Sequence, residues 1–332
     1  MSVLCVLSVR ATSERLPGKV LMPIAGVPMF VRIVRRLRQA KCIKDVLVTS
    51  PWDKANDEID RACVEHGVWN ARGMMGDDTT AELDRAVQKM TGRYGDMPVL
   101  RALGDQPFVD WHHIDTAAAA METNGWDFML PLQFGADPVY GAGLSPWTYR
   151  TWRWTSSMSH GEERQHPGMW IRRHLERFTY GLVDLPHWSY RPYRLEVDTE
   201  ADLELVRRVW EAWDKPHEPT LQWVVSYLDK HQDVASINGS IHEKTGTYTS
   251  YTKAEIAEWE RDYSGRPVIY SDIASLSGQI EATHRAVKCS KCRTPLMSVQ
   301  VKAGNLKLRC PKCGHKETFY ASKEGALRNA AP

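Results

Sequence analysis

Three cations stand close together in the decapeptide RATSERLPGK, residues 10–19: Arg10, Arg15 and Lys19. The decapeptide follows an apolar run over residues 3–9 that predicts a buried first strand, and a helical pattern comes next. Guanidinium forks and an ammonium charge suit phosphate oxygens. A strand, a turn and a helix form the place where α/β proteins hold phosphate groups. The pattern therefore predicts a phosphate-binding loop, with a merely basic surface loop as the alternative.

Two aspartates follow predicted strands further along the chain. Asp105 comes after PVLRALG (98–104), and Asp198 closes the run RLEVD (194–198). Carboxylates that converge on bound phosphates supply the hard oxygen ligands that Mg²⁺ takes. The pair therefore indicates a Mg²⁺ site beside the cationic loop. The alternatives are a turn residue for Asp105 and a helix N-cap for Asp198, although Thr199 already suits the cap.

Four of the seven cysteines form a second candidate site near the carboxyl end. Cys289, Cys292, Cys310 and Cys313 have the spacing C-x2-C-x17-C-x2-C. Four thiolates at such spacing are typical of tetrahedral Zn²⁺. A pair of disulfides is the alternative, and the absence of a secretion signal from this sequence argues against it. We therefore expect a structural zinc ion.

The segment around these cysteines has the character of a zinc ribbon. The stretch 296–310 alternates like a hairpin, with a turn predicted at Gly304–Asn305. Residues 285–332 contain eleven Lys or Arg and two Glu, a net charge of +9, whereas residues 1–284 carry −7. The ribbon is therefore expected to bind an acidic partner or nucleic acid, or to support assembly of a homodimer.

The loop and the two aspartates belong to a longer stretch of sequence that resembles a known protein family. The decapeptide, DVLVTS (45–50), ARG (71–73), LGDQPFVD (103–110) and RLEVDTEADLEL (194–205) resemble the sugar-activating cytidylyltransferases. That family includes CMP-KDO synthetase, acylneuraminate cytidylyltransferase and the spore-coat polysaccharide cytidylyltransferases. The resemblance covers residues 1 to about 238 and is greatest to the spore-coat branch.

The resemblance implies Mg²⁺-dependent transfer of CMP from CTP to a sugar or sugar acid, with release of pyrophosphate. It places the metal on Asp105 and Asp198. The residues that it implies for nucleotide binding are Arg10, Ser13, Arg15, Lys19 and Arg72, and those for catalysis are Arg10, Lys19 and Asp105. Loop capping is the alternative for Ser13, and a solvated surface position is the alternative for Arg72.

The lobe expected to contact the sugar departs from the family. The spore-coat branch usually has R-E-H where this chain has Arg164, Gln165 and His166. In the family, acidic residues are expected near this position, whereas this chain has Ser145, Pro146 and Trp147. The identity of the sugar therefore does not follow from the resemblance, and the cytosine base rests on the family alone.

The sequence alternates between helical and strand patterns, and the elements that these patterns predict position the candidate residues. Helices are predicted over 29–41, 53–66 and 220–238, and strands over 45–50 and 126–131. Thr79 and Glu82 form a capping box for a helix through Met90. We therefore expect an α/β fold with a mostly parallel, Rossmann-like nucleotidyltransferase sheet, helices on both of its faces and a small zinc ribbon.

The domain organisation follows from the same patterns. We expect a nucleotidyltransferase domain over 1–238, a linker with a short helix over 239–284, the zinc ribbon over 285–323 and a tail over 324–332. No apolar stretch approaches the ~20 residues of a membrane span, and the start lacks a basic signal-peptide region. We therefore expect no membrane partner and a cytoplasmic enzyme.

Two other functions fit parts of the sequence. A sugar-phosphate nucleotidyltransferase or a glycosyltransferase would share the fold, but the decapeptide and the lack of a D-x-D pair at the expected strand end favour the cytidylyltransferase. A zinc-ribbon binding protein would use the basic tail alone. Its few aromatic residues provide poorly for base stacking.

Overall fold

In a computed structural model, the chain divides into two compact units. The first comprises Met1–Ala118, Asp137–Arg173 and Leu185–Ser250, and the second comprises Ala119–Ala136, His174–Asp184 and Tyr251–Pro332. The structure describes residues 1–73, 78–129, 139–144, 146–174, 177–181, 186–189, 191, 193–239, 286–288, 295–298, 304–309, 316–321 and 327–329.

A parallel four-stranded sheet organises the first unit. The described strands of this unit are, in chain order, β1 Val3–Ser8, β2 Pro23–Ile24, β3 Val27–Pro28, β4 Ile43–Ser50, β5 Trp69–Arg72 and β6 Val99–Leu103. The sheet has the order β5-β4-β1-β6, and every neighbouring pair is parallel. β2 and β3 form a separate antiparallel pair. The predicted α/β fold and the predicted strand 45–50 are confirmed.

Ten α-helices lie among the described residues. They are α1 Met29–Leu37, α2 Asp57–Glu65, α3 Thr79–Tyr94, α4 Trp111–Asn124, α5 Tyr149–Met158, α6 Glu162–Gln165, α7 Met169–Arg173, α8 Glu200–Glu211, α9 Leu221–Lys230 and α10 Gln232–Ala235. The helix predicted over 220–238 is thus two helices. No helix in this part of the chain has the length and apolar character needed to cross a bilayer.

Helices cover both faces of the sheet because β1 has apolar residues at almost every position. Val3, Cys5 and Leu7 pack into a core that includes buried residues of α1, α2 and α8. Leu4 and Val6 point the other way and pack into a second core with α3. Burial on both faces is typical of parallel sheets, and each fully buried Val or Leu contributes about 1.5–3 kcal/mol.

Capping residues fix where α3 and α8 begin. The predicted Thr79–Glu82 capping box is wrong by one residue, because the Asp78 side chain accepts from the Ala81 amide at 2.8 Å. Aspartate is as good a cap as threonine, and the helix then runs to Tyr94. For α8 the expected cap is confirmed: Thr199 forms a capping box with Asp202.

Residues 194–198 do not form the predicted late strand. Arg194 makes an isolated bridge to Tyr140, and the described residues after it join no sheet. The Val197 amide instead donates to the Asp105 carbonyl at 2.8 Å. An alternating pattern indicates extended backbone with one buried face, but it does not specify a partner strand. This segment is therefore an extended loop held against the end of β6.

The second unit contains short strands. β7 Phe128–Met129 pairs in parallel with β8 Tyr180–Gly181, which confirms the middle of the strand predicted over 126–131. Further along are β9 Ala286–Lys288, β10 Pro295–Ser298, β11 Gly304–Arg309, β12 Lys316–Ala321 and β13 Leu327–Asn329.

The hairpin predicted within 296–310 is wrong. β10 pairs with β9, and β11 pairs with β12, both antiparallel. Gly304 and Asn305 lie in β11 opposite Ala321 and Tyr320 rather than in a turn. A glycine next to an asparagine favours a turn but does not require one. The four cysteines lie outside the described residues.

Candidate active site

The cationic loop leaves the carboxyl end of β1 and folds back on itself. Gly18 has a φ of +72°, which glycine adopts without strain, and its amide donates to the Ala11 carbonyl at 2.8 Å. The Ala11 amide donates to the buried Asn56 side chain at 2.8 Å. A 3-10 turn, Lys19–Leu21, follows. These bonds fix the loop at the edge of the sheet and direct Lys19 inward.

Lys19 links two of the predicted acidic residues. Its Nζ donates to Asp105 Oδ2 at 3.1 Å, to Asp198 Oδ1 at 2.9 Å and to the Val197 carbonyl at 2.7 Å. The residue is 7% exposed. Burial lowers the pKa of Lys19, but the carboxylates of Asp105 and Asp198 raise it by more, so the ammonium is held in its charged form.

Asp198 is surrounded by cations. Besides Lys19, Arg15 NH2 lies 2.7 Å and Arg194 NH2 2.6 Å from its Oδ2. Burial raises the pKa of Asp198, but Lys19, Arg15 and Arg194 lower it by more, so the net shift is downward. The N-cap alternative does not hold, since Thr199 caps α8. Asp198 is therefore an ionised carboxylate that faces the loop.

Glu196 is a third carboxylate that the sequence reasoning missed. Single ligand oxygens of Asp105, Glu196 and Asp198 all lie within 4.8 Å of one another. Burial raises the pKa of Glu196 to about 8, and the charges of Asp105 and Asp198 add to the rise. The signal was present in the sequence, because alternate residues of an extended segment, here 196 and 198, share a side.

Gly141 allows the segment around Glu196 to approach closely. Its φ is +86°, and a Cβ on it would lie 2.7 Å from the Glu196 amide nitrogen. No other residue type fits this position without a shift of the backbone. The cluster is thus placed by three segments: the end of β6, the turn at Gly141 and the loop before α8.

The three carboxylates suit a hard divalent cation. Asp105 Oδ1 is buried and has no hydrogen-bond partner among the described residues. An unpaired buried carboxylate oxygen costs free energy unless a cation or donor meets it. All three side chains offer oxygen, the ligand that Mg²⁺ and Mn²⁺ prefer. The residues therefore fit the predicted kind of metal.

The other predicted residues are placed differently. Arg10 is exposed and has no hydrogen bond or ion pair within the described residues. Ser13 Oγ accepts from the Leu16 amide at 3.4 Å, which is the loop-capping alternative. Arg15 contacts Asp198, and its side chain is 37% exposed.

Arg72 lies at the end of β5 and binds α2 rather than the carboxylates. Its guanidinium contacts Asp60 and Asp57, each at 2.6 Å, and donates to the carbonyls of Pro51 and Asp53. The structure therefore brings Lys19, Arg15, Asp105 and Asp198 together and leaves Arg72 outside this cluster.

Comparison with known proteins agrees with the geometry. Residues 4–144 match the family model described as Cytidylyltransferase. The spore coat polysaccharide biosynthesis protein SpsF of Bacillus subtilis is 27% identical over 242 residues, which are 70% of this chain and 97% of that protein. The 3-deoxy-manno-octulosonate cytidylyltransferase of Syntrophotalea carbinolica is 31% identical over 121 residues, 36% of this chain and 46% of that enzyme.

A solved structure shares the fold. A cytidylyltransferase from Leptospira borgpetersenii superposes with a TM-score of 0.64 at 20% identity, covering 73% of this chain and 100% of that one. At this identity the likeness concerns the fold alone.

Proposed function

Because this chain is an enzyme of the cytidylyltransferase family, we propose that it transfers CMP from CTP to a sugar or sugar acid and releases pyrophosphate. The observation that carries the proposal is the bridge from Lys19 Nζ to Asp105 and Asp198, with Glu196 beside them. This arrangement places cations and hard oxygen ligands together at one edge of a parallel sheet. Ligands of such sheets bind at that edge.

The cationic loop is suited to the triphosphate. Arg10 is exposed and makes no hydrogen bond or ion pair within the described chain, so its fork is available to phosphate oxygens. Arg15 is held at one end by Asp198 and is otherwise open to solvent. Both guanidiniums would offset the charge that develops on the departing pyrophosphate.

Asp105, Glu196 and Asp198 would hold a divalent cation in this function. Such a cation, when bound, neutralises phosphate oxygens and supports the leaving group. Lys19 contacts the carboxylates of both Asp105 and Asp198 and fixes them in place. Arg194, which also contacts Asp202, orients Asp198 from the side of α8. The chain itself thus supplies positioning and charge, the two contributions that phosphoryl-type transfer requires most.

In the reaction, an acceptor hydroxyl attacks the α-phosphorus of CTP. A new P–O bond forms to the acceptor oxygen, the bond from the α-phosphorus to the β-phosphate oxygen breaks so that pyrophosphate leaves, and the hydroxyl proton passes to solvent. The curated relatives named above support a sugar or sugar acid as acceptor. Arg164 is already engaged with Asp78 at 2.6 Å, so we do not assign it to the acceptor.

A pyrophosphate-release screen tests this function. CTP, UTP, GTP and ATP are each combined with a panel of sugars, sugar acids and sugar phosphates, with and without Mg²⁺. We expect release with CTP and a sugar or sugar acid, and only with the metal. Asp105→Asn should be inactive, whereas Asp115→Asn, at a carboxylate of α4 that accepts from the Lys41 and Cys42 amides, should be active. Release without a divalent cation, or with a sugar phosphate alone, would contradict the proposal.

For the carboxyl-terminal segment we propose a zinc ribbon over 285–323. The support is the cysteine spacing together with the order of the strands, since 289–292 fall between β9 and β10, and 310–313 fall between β11 and β12. Elemental analysis of the full chain should find one zinc per chain, and the double variant Cys289→Ser/Cys292→Ser should lose it. Full zinc content in the variant would contradict the assignment.

We propose further that the ribbon binds an acidic partner through its net charge of +9. Binding to heparin or to polyglutamate should weaken steeply as salt is raised. Pyrophosphate release by the Cys289→Ser/Cys292→Ser variant should match the unmodified chain, since the described site lies in the first unit.

A further inference from the structure

Tyr140 lies directly before Gly141 and has no role in the function described above. Its amide donates to the Tyr193 carbonyl at 3.0 Å, and its own carbonyl accepts from the Leu195 amide at 2.9 Å. Tyr140 and Arg194 are therefore partners in an isolated parallel bridge. These contacts fix the backbone of Tyr140 against the extended segment that leads to the metal site.

The ring of Tyr140 lies beside a cation of the metal site. The Cζ atom of Arg194 is over this ring, 5.2 Å from its centroid. The same guanidinium donates to Asp198 Oδ2 at 2.6 Å and to Asp202 Oδ1 at 3.1 Å. A guanidinium over an aromatic ring is attracted to the negative face of that ring. Because alternate residues of an extended segment share a side, Glu196 lies on the same side as Arg194, toward Tyr140.

The hydroxyl group of Tyr140 donates a hydrogen bond to the Glu196 carboxylate. Burial and the charges of Asp105 and Asp198 raise the pKa of Glu196, whereas this hydrogen bond and the charge of Arg194 act to lower it. Donation to a carboxylate favours its ionised form, which is the form that binds a metal ion. The bond also fixes the direction in which the carboxylate oxygens point.

The three carboxylates of the metal site are held by different donors. Lys19 donates to Asp105 and Asp198, and the Tyr140 hydroxyl donates to Glu196. Ligand oxygens of the three lie within 4.8 Å of one another, so their charges repel. Groups that hydrogen-bond to a metal ligand set its orientation, and their loss typically weakens metal binding about 10- to 100-fold.

We propose that Tyr140 is a positioning residue of the metal site and that its hydroxyl group holds Glu196 in the orientation that binds a divalent cation. This inference rests on the proposed function, since that function calls for the metal. The tyrosine is not itself a ligand; it acts through Glu196, and the contact with Arg194 keeps its ring in place. Metal affinity should therefore depend on a single phenol oxygen.

Manganese titration of the full chain tests the proposal, with EPR spectroscopy measuring free Mn²⁺ at constant pH. Tyr140→Phe keeps the ring beside Arg194 and removes only the hydroxyl group, so its affinity for Mn²⁺ should be about 10- to 100-fold lower than that of the unmodified chain. Tyr193→Phe is the matched control, because Tyr193 accepts from the Tyr140 amide but its own hydroxyl donates to Asp229 at 2.7 Å. Its Mn²⁺ affinity should be that of the unmodified chain.

A double variant separates positioning of Glu196 from a general structural effect. Glu196→Ala removes the ligand that Tyr140 holds, so adding Tyr140→Phe to it should weaken Mn²⁺ binding no further. Thermal unfolding should show that each variant is folded. In pyrophosphate release, Tyr140→Phe alone should need about 10- to 100-fold more Mg²⁺ for its half-maximal rate, whereas its KM for the acceptor should be unchanged.

The outcomes distinguish this inference from the function on which it rests. An unchanged Mn²⁺ affinity in folded Tyr140→Phe would overturn the inference while leaving cytidylyl transfer intact. The same holds for a loss of affinity that is equal in the presence and absence of Glu196. Failure of the unmodified chain to bind Mn²⁺ would instead overturn the metal site that the proposed function requires.

Discussion

Replacing Lys19 by methionine tests the central bridge of the site. The variant keeps the length of the side chain but removes the ammonium that contacts Asp105, Asp198 and the Val197 carbonyl. Asp198 retains Arg15 and Arg194, so the main loss falls on Asp105 and on the carbonyl. Removing one partner of a buried ion pair costs about 3–5 kcal/mol, and the retained arginines place the expected loss at about 3 kcal/mol.

The loss should be fully present at neutral pH. The pKa of Lys19 is raised in the folded chain, so its stabilising contribution is complete below the ordinary lysine pKa and is lost only as pH rises through the folded value. At pH 7.5, about 3 kcal/mol corresponds to a fall in Tm of about 6–12 °C for a unit of this size. Lys41→Met, at an exposed lysine, should change stability by less than about 0.5 kcal/mol.

Thermal unfolding with and without Mg²⁺ completes the assay. In Lys19→Met the carboxylates no longer have their ammonium, so added Mg²⁺ should raise the Tm of the variant more than that of the unmodified chain. Nucleotide affinity should fall at the same time, because a cation beside the triphosphate is lost. A variant with the same Tm as the unmodified chain, or one whose Tm rises no more on addition of Mg²⁺, would refute the bridge as a determinant of the site.

Three further variants probe separate parts of the account. Asp105→Asn and Asp198→Asn should both abolish metal-dependent turnover, but urea unfolding should show a loss of stability of several kcal/mol only in Asp198→Asn, which faces three cations. Gly141→Ala should lower both turnover and Tm, because its Cβ would meet the metal-site backbone; Gly95→Ala, also at positive φ but in open space, should keep turnover. Since the pKa of Glu82 is raised to about 7, the folded chain binds that proton more tightly than the unfolded chain. Stability relative to Glu82→Gln should therefore fall by up to about 3 kcal/mol as pH rises from about 4.5 to 7, and a pH-independent difference in urea unfolding would contradict this.

The parts of the site that the sequence predicts are those set by the chemistry of single residues. The side chains of Lys19, Asp105 and Asp198 suit phosphate and metal, and the structure brings Lys19 within hydrogen-bond distance of both aspartates. The strands β1 and β4 were predictable because continuous apolar runs are typical of buried parallel strands. Thr199 was predictable as a cap because its capping box is a local arrangement.

What the sequence did not predict depends on contacts between distant segments. Glu196 enters the site through the close approach of Gly141, 55 positions earlier in the chain. Residues 194–198 have a strand-like pattern but bind the end of β6 through single backbone contacts. The alternation within 296–310 likewise left open which strand each segment would pair with. Patterns of one segment specify its own backbone better than its partner.

The measurement that tests the account most directly is metal-dependent pyrophosphate release from CTP in the presence of a sugar acid panel. The account predicts release by the full chain with Mg²⁺ or Mn²⁺, a loss of about 100-fold or more in Asp105→Asn at saturating metal, and normal rates in Asp115→Asn. Release by folded Asp105→Asn at the rate of the unmodified chain would contradict the assignment of the Lys19, Asp105 and Asp198 bridge as the catalytic centre.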